Sequence, residues 1–375
     1  MKRAKSLSMG NAPFAFDKRT SASLMWGTSA ALIPALFWGL YCFGPQALFV
    51  VSASILGALV GEAAASGMRK RFTLLDGSAF LTGLLIGMAM PPGVDPYIPA
   101  LSALFAVVVV KGAFGGLGAN WMNPALAGIA FALLDWPKEM GAWSLPLQLQ
   151  PQDLAGISGA TPLGFCRAHA AAAAGSGPLD VLAAPGLKFT PTDATVTDFL
   201  NQTIFSRLGA EMPRGYIDLL IGNKPGALGE LSALIILAAS IFLIARRMIR
   251  WEIPASIVGS FAALSWAFGG LPYGRELFSG DVLFAVLSGS FLLVAFFMAT
   301  DPVTSPSSRA GMLIYGVGIG VVSFMLRSYG ASAEGSAFSV ILMNCCVPAI
   351  EKLDAVASLR RARAASEHAG GGERA

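Results

Sequence analysis

Few side chains in this sequence can do chemistry. The most suggestive run is Ser158-Gly159-Ala160-Thr161-Pro162. Its small residues let a bulky group come close, and Pro162 keeps Thr161 out of helical backbone, so the run presents a threonine hydroxyl at a turn. Such an alcohol can be esterified, although the same composition also makes an ordinary polar turn. The loop Gly222-Asn223-Lys224-Pro225-Gly226 opens an apolar stretch that begins at Glu230. Backbone N–H groups at a helix start, together with Lys224, suit a phosphate or the polar edge of a cofactor, and a solvated Lys224 fits equally well. A third run, Lys111 to Gly118, is glycine-rich but too irregular for a dinucleotide fingerprint, and it follows no strand. Tight helix packing is its simpler use.

Metal chemistry is not expected. The four cysteines, Cys42, Cys166, Cys345 and Cys346, show no C-x-x-C spacing, and the histidines are only His169 and His368. The ionisable residues at or near apolar stretches are Glu62, Asp76, Lys111, Asp135, Glu230, Glu252, Asp281, Asp301 and Glu351. Charges at membrane depth are candidates for ion handling. Each of these, however, falls near the end of its stretch, where water or headgroups could solvate it, so no mid-span proton wire is visible.

The elements that must position these residues follow from composition. Of 375 residues, 55% are hydrophobic and 13% charged, with 43 glycines. That charged fraction is about half the usual 25% of soluble domains. It excludes a soluble enzyme, a disordered chain and a coiled coil, and makes the bilayer the solvent. Apolar stretches of spanning length fall at 24–44, 46–66, 78–92, 96–114, 120–136, 230–246, 252–270, 281–299, 311–327 and 336–350. The first is too long for a cleaved signal and no small-residue cleavage site closes it.

With the N-terminus in the cytoplasm, eighteen basic residues lie on inside segments and only Arg275 and Arg327 on short outside loops. The positive-inside rule therefore supports ten spans with both termini inside. The net charge of +4 is a topology marker, not a nucleic-acid footprint. The expected fold is an all-α polytopic membrane protein: about ten transmembrane helices as two inverted five-helix repeats, with a long extracytoplasmic insertion between them. Its parts are a cytoplasmic tail at 1–23, a first repeat at 24–136, the insertion at 137–229, a second repeat at 230–351 and a cytoplasmic tail at 352–375. The third and tenth stretches look short and broken by Gly and Pro, as half-helices facing one another.

The run Ser158-Gly159-Ala160-Thr161 resembles the flavinylation site in membrane components of Rnf-type electron-transport complexes and in the B component of the related sodium-pumping NADH:quinone oxidoreductase. Asp76-Gly77-Ser78-Ala79, Gly115-Gly116-Leu117-Gly118, Asn123-Pro124-Ala125, Gly229-Glu230 and the run Phe297 to Pro306 also resemble the RnfD family. One departure is that the acidic residue expected just before the serine stands five residues upstream, as Asp153.

The resemblance implies FMN joined through a phosphoester to Thr161, with Ser158, Gly159 and Ala160 as its recognition motif; Lys224, read from its loop above, is the candidate for a further contact. It implies a flavin transferase that makes the bond, and a second, non-covalent flavin (riboflavin) near the Lys111 to Gly118 cavity. It also implies a bacterial inner-membrane location with the flavinylated loop in the periplasm. The partners it implies are the membrane components RnfA and RnfE, the flavin-bearing RnfG, and RnfB and RnfC for electron input and output. The chain is then a redox-active component that relays electrons between ferredoxin and NAD and couples them to Na⁺ or H⁺ movement. It is not a complete enzyme, and its only other partner is membrane lipid. The competing readings are an inverted-repeat secondary transporter without a redox cofactor and a purely structural anchor.

Overall fold

A computed structural model describes residues 20–70, 73–147, 158–159, 161–169, 175–183, 189–330 and 335–371. Every one of the ten apolar stretches contains helix. The first half comprises α1 (Ser21–Phe43), α2 (Pro45–Arg69), α3 (Ser78–Met88), α4 (Tyr97–Phe105, continued by a π-helical turn Ala106–Gly112) and α5 (Pro124–Asp135). Local chemistry sets the boundaries. Thr20 and Asn123 accept hydrogen bonds from Ser23 N–H and Ala125 N–H as N-caps, and Pro45 and Pro124 occupy first turns that need no amide donor. Gly44, at φ +76°, turns the chain between α1 and α2.

Next come a single turn, α6 (Pro137–Met140), and the two-residue strands β1 (Trp143–Ser144) and β2 (Ser158–Gly159). The strands pair antiparallel, Trp143 opposite Gly159 and Ser144 opposite Ser158. This small ribbon departs from the all-helical expectation. The insertion continues as α7 (Pro162–His169), α8 (Pro178–Ala183), α9 (Pro191–Thr203) and α10 (Tyr216–Ile221). The second half comprises α11 (Ala233–Ala245), α12 (Glu252–Phe268), α13 (Val282–Leu287), α14 (Phe291–Leu293, continued by a π-helical turn Val294–Met298), α15 (Arg309–Tyr329) and α16 (Gly335–Gly371).

Among the described residues, four apolar helices are long enough by themselves to cross a bilayer: α1, α2, α12 with its extension to Tyr273, and α15. Large apolar side chains such as Phe37, Phe49, Leu56 and Ile241 point outward, while Ser54, Glu62, Lys111 and Ser323 are buried. That is the reverse of a soluble protein and suits a lipid surround. Helices approach closely at glycines: a Cβ on Gly57 would sit 2.3 Å from the Ala100 carbonyl oxygen, and one on Gly320 2.7 Å from that of Ile257. The first contact joins α2 to α4 and the second α12 to α15.

One expectation is corrected. The tenth stretch is not a half-helix, because α16 runs unbroken for 37 residues with Pro348 inside it. The break lies in the eighth stretch instead, at Ser288-Gly289-Ser290, where Gly289 adopts φ +66°. The third stretch is short as expected, with α3 ending at Met88. Backbone groups freed at these ends find partners inside the protein. Gly229 N–H donates to the Met88 carbonyl at 2.7 Å and Asn123 Nδ2 to the Met298 carbonyl at 2.8 Å.

The insertion is seated on the bundle by a second core of Leu163, Cys166, Leu179, Val181, Leu182, Leu219, Tyr273 and Phe284. Asp193, in the first turn of α9, ties it together: its carboxylate accepts from the N–H groups of Gly215 (2.8 Å), Ile217 (3.0 Å) and Asp218 (3.1 Å). Asp218 in turn accepts from Thr190 N–H at 2.7 Å and Thr190 Oγ1 at 2.6 Å.

Candidate functional site

Thr161 stands between β2 and α7. Its side-chain oxygen accepts a hydrogen bond from Gly164 N–H at 3.1 Å, and its carbonyl accepts from Phe165 N–H at 2.8 Å. Thr161 is thus the N-cap of α7, with Pro162 in the first turn. It is 2% exposed. The ribbon with β1 holds the chain before it and the second core holds α7 after it. Ser158 and Gly159 lie in the ribbon, while Ala160 and Asp153 fall outside the described residues. Inside the second core the Cys166 thiol donates to the Pro178 carbonyl at 3.2 Å. Burial, with the charge of Asp281 adding to it, pushes this thiol up to about 12. Nearby, the Tyr216 hydroxyl donates to Asp281 Oδ2 at 2.7 Å, and burial followed by this bond to a carboxylate raises the phenol above its ordinary range.

Beneath α7 is a cavity of about 50 Å³. Leu163 and Arg167, one turn apart on α7, line it together with Phe261 and Ser265 of α12 and Phe324 and Arg327 of α15. Arg327 is 3% exposed. Its guanidinium lies 5.2 Å from the Phe261 ring and 5.4 Å from the Phe291 ring, and it donates to the Ser288 carbonyl at 2.7 Å. Those two rings stack at 4.1 Å. Ser265 Oγ, on a residue 2% exposed, has no hydrogen-bond partner among the described residues.

Lys224 is also buried, and it does not line this cavity. The loop Gly222 to Ser232 is packed inside the protein, and the Lys224 ammonium donates to the Leu287 carbonyl at the break after α13. Lys224 and Arg327 therefore converge on adjacent carbonyls at the C-terminal end of a half-helix, where the helix dipole favours positive charge.

At the opposite end of the bundle a larger cavity, of about 70 Å³, is lined by Lys111, Leu117, Asn120, Asn123, Phe297 and Asp301, among others. Lys111 donates to Glu62 Oε2 at 2.8 Å and to Ser78 Oγ at 2.6 Å, while Thr73 also donates to Glu62. The Lys111 to Gly118 run thus opens onto a cavity rather than serving only helix packing.

The expectation that every ionisable residue is solvated at a span end is corrected as well. Glu62 and Lys111 are buried and paired, and buried Glu252 meets Arg309 at 3.5 Å. Asp281 caps α13, accepting from Phe284 N–H at 2.9 Å, and Asp76 accepts from Ser78 N–H at 2.8 Å in the turn before α3. Arg327, read from the sequence as one of two loop cations on the outside, is an interior residue that sequence reasoning missed. Its place on the last turn of a 21-residue apolar helix was the available signal.

With this geometry established, comparison with known proteins is decisive. Residues 8–358 match the family described as NQR2, RnfD, RnfE. The chain belongs to that family. It is 33% identical over 332 residues to the D component of a proton-translocating ferredoxin:NAD(+) oxidoreductase complex from Clostridium ljungdahlii, covering 88% of this chain and 89% of the relative. It is 36% identical over 339 residues to the D component of the ion-translocating oxidoreductase complex of Stutzerimonas stutzeri, covering 88% and 89% of the two chains. An Acetobacterium woodii relative, the D component of a Na(+)-translocating ferredoxin:NAD(+) oxidoreductase complex, is 31% identical over 351 residues, 92% of this chain and 93% of its own. The likeness to this NQR2, RnfD, RnfE family spans both membrane halves and the insertion, so Thr161 and both cavities lie within it.

Proposed function

We propose that this chain is the D component of an Rnf-type ion-translocating oxidoreductase complex and carries FMN esterified to Thr161 as an electron relay. The observation that carries this reading is the Thr161 hydroxyl at the head of α7, two residues before Leu163, which lines the cavity below. The fit is chemical. The Gly164 N–H that now meets the hydroxyl oxygen is a donor for a phosphoester in its place, and an anion at a helix N-terminus gains about 0.3–1 kcal/mol from the dipole. When bound, the flavin supplies the electron-carrying chemistry that no side chain here can supply. The protein's part is to hold the ester at the head of α7 and to shield the site from water. A covalent tether also keeps the cofactor where diffusion would otherwise remove it.

The arrangement that goes with this reading is a multi-pass protein of the bacterial inner membrane, with both termini cytoplasmic and the Thr161 loop periplasmic. Its partners are RnfA, RnfE, RnfG, RnfB and RnfC, together with the flavin transferase. Inverted five-helix repeats are supported by a parallel between the halves. Lys111 ends the fourth stretch and donates to Ser78 at the start of the third, as Arg327 ends the ninth and donates to Ser288 at the break of the eighth. The Lys111 cavity, with Asn120, Asn123 and Asp301 as polar groups, suits a second, non-covalent flavin (riboflavin).

In-gel fluorescence tests the central claim. Protein from cells containing the flavin transferase should give a fluorescent band on a denaturing gel, lost in Thr161→Ala, with a matching drop in intact mass. A dark wild-type band would instead favour the inverted-repeat transporter, whose hallmark is the broken eighth helix.

A further inference from the structure

We infer that Thr161 receives its flavin only while α7 is off its seat, so that attachment precedes the final docking of this part of the insertion. This rests on Thr161 carrying a flavin. It adds to that reading an order of events and the segment that enforces it.

In the seated chain the acceptor is shut away. Thr161 is 2% exposed, and its Oγ1 already accepts from Gly164 N–H at 3.1 Å. It is not among the residues lining the cavity beneath α7, so that cavity gives no route to the hydroxyl. The transfer itself has a demanding geometry. With FAD as donor, the pyrophosphate bond breaks and a bond forms between Thr161 Oγ1 and the FMN phosphorus. AMP leaves, the hydroxyl proton passes to solvent, and no oxidant or reductant is needed. Oxygen and phosphorus must first stand about 3–3.5 Å apart, in line with the departing AMP. A dinucleotide held by a second protein cannot reach that position beside a buried residue. Ser158 and Gly159 are engaged as well, since they pair with Ser144 and Trp143 in the ribbon. A transferase that reads this run must take it as free chain.

The way the segment comes free is built into its size. α7 has only eight residues, and helices below about 12–15 residues are marginal in water without packing. Few contacts seat it: Leu163 and Cys166 in the second core, the Cys166 thiol on the Pro178 carbonyl, and the Arg167 guanidinium on the Gly330 carbonyl. The strand before it pairs over two residues. Leaving the seat therefore unwinds α7, releases the Gly164 bond and presents Thr161 in a single local opening, while the membrane helices stay packed.

The test uses the full-length chain, expressed without transferase, purified in detergent and then given transferase and FAD. Intact mass follows attachment. Hydrogen exchange of the peptide covering residues 161–169, measured before FAD is added, follows the opening of α7. Phe284→Leu, Phe284→Ala and Leu219→Ala weaken the second core from α13 and α10 and leave residues 158–169 unaltered. Attachment is expected to be slow in wild type and at least tenfold faster in Phe284→Ala, with attachment and exchange rising by the same factor across the series. The milder Phe284→Leu serves where Phe284→Ala fails to fold. An attachment rate that is the same in wild type and every variant overturns the proposal while leaving the flavin on Thr161. No attachment in any of them, together with a dark band from cells containing the transferase, overturns the flavinylation reading instead.

Discussion

Lys111 and Glu62 meet at 2.8 Å inside the bundle, from helices whose sequence positions are 49 apart. Both side chains are buried; Ser78 and Thr73 hydrogen-bond to the pair, and the Arg69 guanidinium stands 3.8 Å from Glu62 Oε1. The pair lies beside the larger cavity and joins α2 to the end of α4. It sets the electrostatics of that end of the protein.

Breaking this pair should cost more than deleting it. Glu62→Gln leaves buried Lys111 without its counter-charge, with an expected loss of about 3–5 kcal/mol, and Lys111→Met, which leaves Glu62 with only the more distant Arg69, should cost somewhat less. The double variant should recover a large part of that loss. Thermal unfolding in detergent measures all three, and single variants as stable as wild type would refute the pairing.

At Thr161, capping and cofactor attachment are separable. Thr161→Ala removes the cap and should lower stability by about 1 kcal/mol as well as abolishing flavin fluorescence. Asn is an equally good N-cap but offers no hydroxyl to esterify. Thr161→Asn should therefore unfold like wild type without bound flavin while giving no fluorescent band. A flavin-labelled Thr161→Asn protein would place the ester elsewhere.

Cys166 should resist alkylation. Its thiol is pushed up to about 12, so it stays protonated at neutral pH, and the thiolate is the reactive form. Labelling of folded protein at Cys166 should not climb between pH 7 and pH 9, where an ordinary thiol of pKa about 8.5 climbs steeply. A model peptide thiol in the same reaction serves as the comparison. Peptide mass spectrometry after a short pulse of iodoacetamide reads both thiols.

Asp193 should be the keystone of the insertion. Asp193→Ala strands three backbone N–H groups, for a loss of about 3 kcal/mol or more at about 1–3 kcal/mol per buried group. The loss should be local, because the membrane helices do not depend on these bonds. Limited proteolysis is expected to cut between α9 and α10 in the variant while the membrane halves stay intact. Resistance equal to wild type would show that the second core suffices to hold the insertion.

Much of this protein is legible in its sequence because a bilayer leaves few choices. Where lipid replaces water, backbone groups must pair within the chain, so an apolar run of the right length becomes helix almost regardless of its detailed order. Each of the ten runs contains helix, and among the described residues four form helices long enough to cross by themselves. Caps such as Thr20, Asn123 and Ser308 were equally local, since a hydroxyl or amide beside a helix start meets the free N–H groups with no distant partner required. The hydroxyl at Thr161 was also readable, from four residues and a proline.

Interior placement was not readable. Whether Lys111, Arg327 and Lys224 face water, lipid or protein depends on which helices pack against them, and their partners come from distant positions: Glu62, Ser288 and Leu287. The same holds for the break in the eighth helix rather than the tenth. Pro348 is tolerated within α16, whereas Ser288 and Leu287 can give up helical bonds because Arg327 and Lys224 arrive to replace them. The sequence by itself determined helices, caps and the hydroxyl, because those depend on neighbours a few residues away. Only the tertiary structure decided the cavities and the buried charges, because a charge in a low-dielectric interior is stable only where a specific long-range partner meets it.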